Sequence, residues 1–294
     1  MSFAAWWERY LGGGAGNGAV PHDLARRLAQ VQLHAARRLA PAWVGAYRSA
    51  FKGEGIEFAG VREYQAGDDV RAVDWRVTAR TGRLAIRRYV EERNRTVLFL
   101  VDLGPALAAG SGDRCLLDVA ADVVALAGSA AIAGGDRVTL AVWSDRLELF
   151  LAPRRDHSAL FRIVSGVLGL QPGERGGDLA AALAQVPRLM PRPGILVVLS
   201  PLLGAGYART LRVLARRHEL LLVRLWDDRA GIGTARAAVP VRTAAGAAGW
   251  GEPSPVPAAD LDGLDADIVT ATPATDLGLA LGAVFRERGR RRCA

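Results

Sequence analysis

The sequence predicts an α/β fold: a mostly parallel sheet flanked by helices, with a small N-terminal β-rich subdomain. Three observations lead there. From Thr96 onward, apolar strand-like runs alternate with helical patterns, the order that builds parallel strands joined by crossover helices. Before them, residues 48–95 are short charged segments punctuated by Gly53, Gly55, Gly60, Gly67 and Gly82, as turns between short strands require. The composition is that of a globular chain, half of its 294 residues hydrophobic and 23% charged, long enough for one large domain or two modest ones.

Five stretches follow in order. Residues 1–20 hold an aromatic segment and the glycine-rich hinge Gly12 to Gly18. Phe3, Trp6, Trp7, Tyr10 and Leu11 share one helical face, which either docks on the protein's own core or anchors a partner or membrane surface. Residues 21–47 form an N-terminal helical segment, capped by Asp23 and stopped after Leu39 by Pro41. Residues 48–95 are the β-rich subdomain. Residues 96–230 carry strands at Thr96–Leu103, Arg137–Trp143, Leu147–Leu151, Ile195–Ser200 and Leu220–Trp226. Helices fall between them at Asp113–Ala133, Asp156–Leu168, Leu179–Leu189 and Tyr207–His218. Residues 231–294 are loop-rich, with one short strand near Val239–Arg242 and a final helix over Asp276–Arg288.

Several function classes are excluded directly. The formal charge of +8 comes from 37 Arg against the single Lys52, and Lys52 does not lie in a Gly-x-x-x-x-Gly-Lys-Ser/Thr phosphate loop. Cys115 and Cys293 are too few for a disulfide framework or a cysteine zinc site. No signal-peptide pattern opens the chain, and the longest strongly apolar uncharged run, Pro193–Ala208, is shorter than the roughly 18 to 20 residues of a spanning helix. A cytoplasmic protein without a membrane span is expected. The four histidines stand apart, and no nucleophile elbow or metal-helix motif is present. No catalytic residue and no cofactor is expected.

The informative stretch runs from Gly53-Glu54-Gly55-Ile56-Glu57-Phe58 through Arg62-Glu63-Tyr64, Gly67-Asp68-Asp69-Val70-Arg71, Asp74-Trp75 and Ala79-Arg80 to Glu91-Glu92. Ten basic and eight acidic residues lie between Phe51 and Arg95, and such interleaving favours ion pairs and Arg forks over a phosphate track. Arg62, Tyr64, Asp68, Asp69, Arg71, Asp74, Trp75, Arg80, Glu91 and Glu92 therefore either hold a small sheet in place or shape a recognition surface.

On these residues the chain resembles the DUF58 family, with the match spanning roughly residues 51–103 and continuing more loosely to about 226. The resemblance implies a Rossmann-like core similar to the von Willebrand factor A domain. It also implies work beside a MoxR-type AAA+ ATPase in the assembly or maturation of other proteins. A-type domains hold a divalent cation with an Asp-x-Ser-x-Ser loop after the first strand, a Thr from a second loop and an Asp after the fourth strand. Here the first loop reads Asp102-Leu103-Gly104-Pro105-Ala106, the second reads Gly177-Asp178, and the strand end reads Ser200-Pro201. Asp102 is the only retained ligand position. A degenerate metal-ion-dependent adhesion site without metal is expected.

The expected function is a non-enzymatic adaptor that presents Asp102, Gly104, Asp178 and Pro201 to the ATPase and a client protein. Backbone N–H groups near Gly110–Asp113 and Gly177–Leu179 are expected to stay open there. Two rivals remain at this level. One is a hydrolase or nucleotide-using enzyme built on Asp68, Asp69 and Asp74. The other is a basic nucleic-acid-binding protein using Arg286 to Arg292, although the chain carries no recognisable nucleic-acid module.

Overall fold

The structure, a computed structural model, describes residues 41–51, 56–65, 67–91, 94–111, 114–172, 177–203, 206–227, 239–242, 248–251, 261 and 263–293. The aromatic stripe, the Asp23-capped helix, the Gly53-Glu54-Gly55 turn and Glu92 lie outside the described residues. The chain divides into two compact units, residues 52–94 and the remainder.

Helix α1 (Pro41–Ala50) opens the larger unit. Pro41, expected to stop the helical segment before it, is the first residue of α1; that preceding segment lies outside the described residues. At the first helical position its missing N–H costs nothing and its fixed φ suits the helix. In the smaller unit, β1 (Ile56–Glu63), helix α2 (Trp75–Thr81) and β2 (Ala85–Glu91) follow in order. β1 and β2 pair antiparallel with an irregularity between Phe58 and Gly60, where Gly60 takes φ 131°, a conformation only glycine adopts without strain.

The larger unit continues with β3 (Thr96–Asp102), helix α3 (Leu116–Gly134), β4 (Arg137–Trp143) and β5 (Leu147–Arg154). Helices α4 (His157–Leu168) and α5 (Leu179–Leu189), β6 (Ile195–Ser200), helix α6 (Ala208–Ala215) and β7 (Glu219–Leu225) come next. β8 (Ala266–Ala271) and helix α7 (Leu277–Cys293) close the chain. The sheet order is β8-β7-β6-β3-β4-β5, parallel throughout except for β5. Two short antiparallel ribbons, Gly110–Ser111 with Arg114–Cys115 and Val239–Arg242 with Ala248–Gly251, stand apart from it.

Alternation along β3 divides the core. Val97, Phe99 and Val101 face a cluster completed by α1, α3, α4 and α7, while Leu98 and Leu100 face α5 and α6. Helix α3 is apolar on nearly all sides and long enough to cross a membrane, yet 78% of its apolar window is buried, so it serves as the main core helix of the first face. It starts at Leu116 rather than Asp113, since Cys115 donates its N–H to Asp118 and the preceding residues form a ribbon. It ends at Gly135, in the left-handed conformation.

Strand β8 fell in a stretch read as loop-rich. Its buried residues are Asp267, Val269 and Ala271, one face only, and two of the three are small or polar, so the edge strand carries little apolar signal. Two polar anchors fix the amino ends of the strands. Asp136 accepts hydrogen bonds from Tyr47 Oη at 2.8 Å and from the Arg95 N–H at 3.0 Å, and burial pushes the Tyr47 phenol well above its ordinary pKa. Arg288 of α7 pairs with both Glu219 and Asp267, and Arg291 adds a 2.5 Å bond to Asp267.

Phe285 of α7 joins α1 to this core, packing edge-on against Trp43, Tyr47 and Phe51 at centroid separations of 5.2, 5.7 and 5.4 Å. Phe285→Ala removes a ring that is 1% exposed and should lower the unfolding free energy by about 3–5 kcal/mol in urea denaturation. A loss below about 1 kcal/mol would show that α7 is not part of the cooperative core.

Candidate functional site

The chain leaves β3 for β4 on one side and later returns to β6 on the other. This reversal of strand order marks the carboxyl ends of β3 and β6 as the place where open α/β sheets put their ligands. Asp102 ends β3 and Ser200 ends β6.

Asp102 is only 7% exposed. Its Oδ2 accepts a 2.6 Å hydrogen bond from Ser200 Oγ, while its Oδ1 is buried without a hydrogen-bond partner. Burial pushes the carboxyl up to about 6, opposed by the Ser200 hydroxyl and reinforced by the negative charge of Asp178. Gly177 covers Oδ1 so closely that a Cβ there would overlap it. A Cβ on Gly104 would come within 3.1 Å of the Gly177 nitrogen, so two glycines and a carboxylate form one close-packed layer.

Ser200 was not singled out in the sequence, where attention fell on Pro201 beside it. Its hydroxyl is fully buried, donates to Asp102 and accepts the Leu202 N–H at 2.9 Å. Leu202 sits at φ 54°, unusual for a leucine, and its carbonyl accepts Tyr207 Oη at 2.8 Å. The loop after β6 is thus held in a strained turn through Ser200 and Tyr207. The sequence signal for this was limited to a serine beside the position where a ligand was expected. Pro201 is itself buried and contributes no side-chain oxygen.

Asp178 does not stand free as a replacement ligand. Its carboxylate caps α5 by accepting the Ala181 N–H at 2.9 Å, and its own N–H donates to the Ser144 carbonyl at 3.0 Å. The expected open N–H at this helix start is therefore occupied. Asp102 and Asp178 are brought together, with Gly104 buried beneath Gly177 and Pro201 following Ser200.

The cation implied by the resemblance does not fit these residues. Oδ2 of Asp102 is engaged by Ser200, Oδ1 is sealed under Gly177, and Gly104 and Pro201 offer no side-chain oxygen. Among the described residues no group of three His, Cys, Asp or Glu could hold a metal. Ser200 is equally unsuited to attack a substrate, being buried and bonded on both sides.

The smaller unit distributes its charges differently from the single lattice expected. Arg62 grips Asp68 with two bonds of 2.7 and 2.6 Å, which holds the Asp68 carboxyl below its ordinary pKa. Asp69 caps a short turn by accepting the Arg71 N–H at 2.9 Å. Asp74 caps α2 through the N–H groups of Arg76 and Val77. The three acids considered for catalysis are thus each committed to local structure. Tyr64 is half-buried and donates its N–H to the Leu84 carbonyl at 2.9 Å. Trp75, Arg71 and Arg80 are exposed, and Glu91 lies at the end of β2.

A family model described as "Protein of unknown function DUF58" matches residues 60–231, more than half of the chain. An uncharacterized protein of Mycobacterium tuberculosis and another of Mycobacterium bovis are each 30% identical over 209 residues, covering 70% of this chain. The match spans 66% of the length of these relatives. Among solved structures, the conserved hypothetical protein BatB from Bacteroides thetaiotaomicron is 12% identical with a TM-score of 0.45. An aerotolerance-related membrane protein from Bacteroides fragilis is 13% identical with the same TM-score, and each likeness covers 67% of this chain and 99% of the other.

Two outcomes test the site. Asp102 titrates near 6 when folded and near 3.8 when unfolded, so the folded state holds the extra proton between those values and loses stability as pH rises through 6. Replacing it by Asp102→Asn removes that dependence. The difference in unfolding free energy should move toward the variant by about 2–2.5 kcal/mol between pH 4 and pH 8, measured by denaturant melts at both; a pH-independent difference would mean an ordinary carboxyl. Gly177→Ala should destabilise by about 1–3 kcal/mol, and combining it with Asp102→Gly should recover much of that loss.

Proposed function

The chain belongs to the DUF58 family, and from that membership and the carboxyl-end site we propose that it is a non-enzymatic adaptor docking a MoxR-type AAA+ ATPase on the face around Asp102. The single observation carrying this is the buried Asp102 carboxylate with one oxygen unpartnered at the switch point of the sheet. A charge held there costs stability, and groups retained at such cost are those a protein uses. Among the described residues no nucleophile and base pair accompanies it, which favours contact over turnover.

The larger unit is read here as a von Willebrand factor A-like core. Asp102 follows the first of the six main strands and Ser200-Pro201 the fourth, the places where A-type domains carry their cation loops. The serine hydroxyl on Asp102 takes the place of a cation, so the docking face is built without metal. An ATP-driven partner places the protein in the cytoplasm, and a client protein would be carried by the same assembly.

The test is association of the purified chain with a purified MoxR-type ATPase, in ATP, ADP and nucleotide-free buffer. A complex is expected that survives EDTA. Asp178→Arg should weaken it by about tenfold or more, whereas Asp178→Ser, which keeps the helix cap, should weaken it less. Absence of a complex in all three buffers, or its loss in EDTA, overturns the proposal.

A further inference from the structure

We propose that the exposed face of helix α2 is a second docking surface, which takes an acidic segment of a partner protein carrying an apolar residue. It is independent of the carboxyl-end face of the larger unit.

Helix α2 starts at Trp75 behind the Asp74 cap and stops at Gly82, which takes φ 69°. Its inner side is half-buried through Val77 and Thr78, and Thr78 Oγ1 accepts the Ala85 N–H at 3.1 Å, which ties the helix to β2. The outer side consists of Trp75, Arg76, Ala79 and Arg80, all exposed. Trp75 and Ala79 form one i, i+4 row and Arg76 and Arg80 the next, so indole and guanidinium groups lie side by side with a small residue between them. Val70 and Arg71 on the short turn before it are exposed too, with Val70 59% and Trp75 64% exposed.

Among the described residues the charges of this face lack counterparts. The guanidinium groups of Arg71, Arg76 and Arg80 have no ion-pair partner among the described residues. The described acids nearby are engaged elsewhere: Asp68 by Arg62, Glu63 by Arg83, and Asp69 and Asp74 by backbone N–H groups. Two arginines one helical turn apart repel, and an indole left in water forgoes its burial energy. One ligand relieves both. Carboxylates take the planar guanidinium forks, while an apolar side chain covers the Trp75 ring above Ala79. Tryptophan and arginine are also the residue types that dominate binding energy at protein interfaces. A nucleic acid suits the face less well, because three guanidinium groups are fewer than the roughly six to ten of a phosphate track.

The experiment uses the full chain and a fluorescein-labelled peptide, three aspartates, two leucines and three aspartates, read by fluorescence anisotropy at low salt. Saturable binding is expected. Arg76→Glu combined with Arg80→Glu should weaken it at least about tenfold, and Trp75→Ala several-fold. The peptide with lysines in place of aspartates should bind the doubly reversed chain and not the parent. Arg76→Gln combined with Arg80→Gln, checked for an unchanged melting temperature, should also weaken binding and separates a lost contact from a lost fold. Asp178→Arg should leave peptide binding unchanged, so failure at the carboxyl-end face and failure here are distinguishable. Equal binding by parent and variants, or none by the parent, overturns the proposal. So does tighter, variant-sensitive binding of a twelve-residue oligothymidylate or of phosphatidylglycerol vesicles, which would assign the face to nucleic acid or to a membrane.

Discussion

A parallel sheet buried on both faces can keep polar groups only at the ends of its strands, and the larger unit is organised around that constraint. β3 and β6 are apolar throughout their buried lengths, so the charges of the sheet are confined to their two ends. At the amino ends buried acids meet hydrogen-bond donors. Asp136 collects Tyr47 and the Arg95 N–H, and Arg288 bridges Glu219 to Asp267. At the carboxyl ends Asp102 receives one hydroxyl for two oxygens and faces the like charge of Asp178.

The glycines there follow from the same arrangement. Asp102 is sealed because Gly177 lies against it, and Gly177 can approach because Gly104 leaves space below. Side chains at either place would separate α5 from β3 and admit water to the carboxylate. Its raised pKa therefore depends on residues with no side chain at all.

The smaller unit works by a different economy. Few of its described side chains are buried, and its elements are defined by caps and one forked ion pair: Asp69 on its turn, Asp74 on α2, Arg62 on Asp68. Among the described residues, acids committed to local backbone leave arginines over. That leaves Trp75 and its neighbouring guanidinium groups facing outward.

Much of this was legible from residue order. Apolar runs alternating with helical ones announce a parallel sheet, Asp102 stands out at the end of the first of these runs, and the Arg, Asp and Gly punctuation of residues 51–95 marks the family, because periodicity and turn chemistry are local properties. α2 was hidden by that punctuation, although the Asp74 cap and Gly82 stop were present. β8 was hidden because an edge strand buries one face with small and polar residues. The pairing of Ser200 with Asp102, 98 residues apart, and the seal by Gly177 were decided by strand order alone, since only the fold sets which strand ends lie side by side.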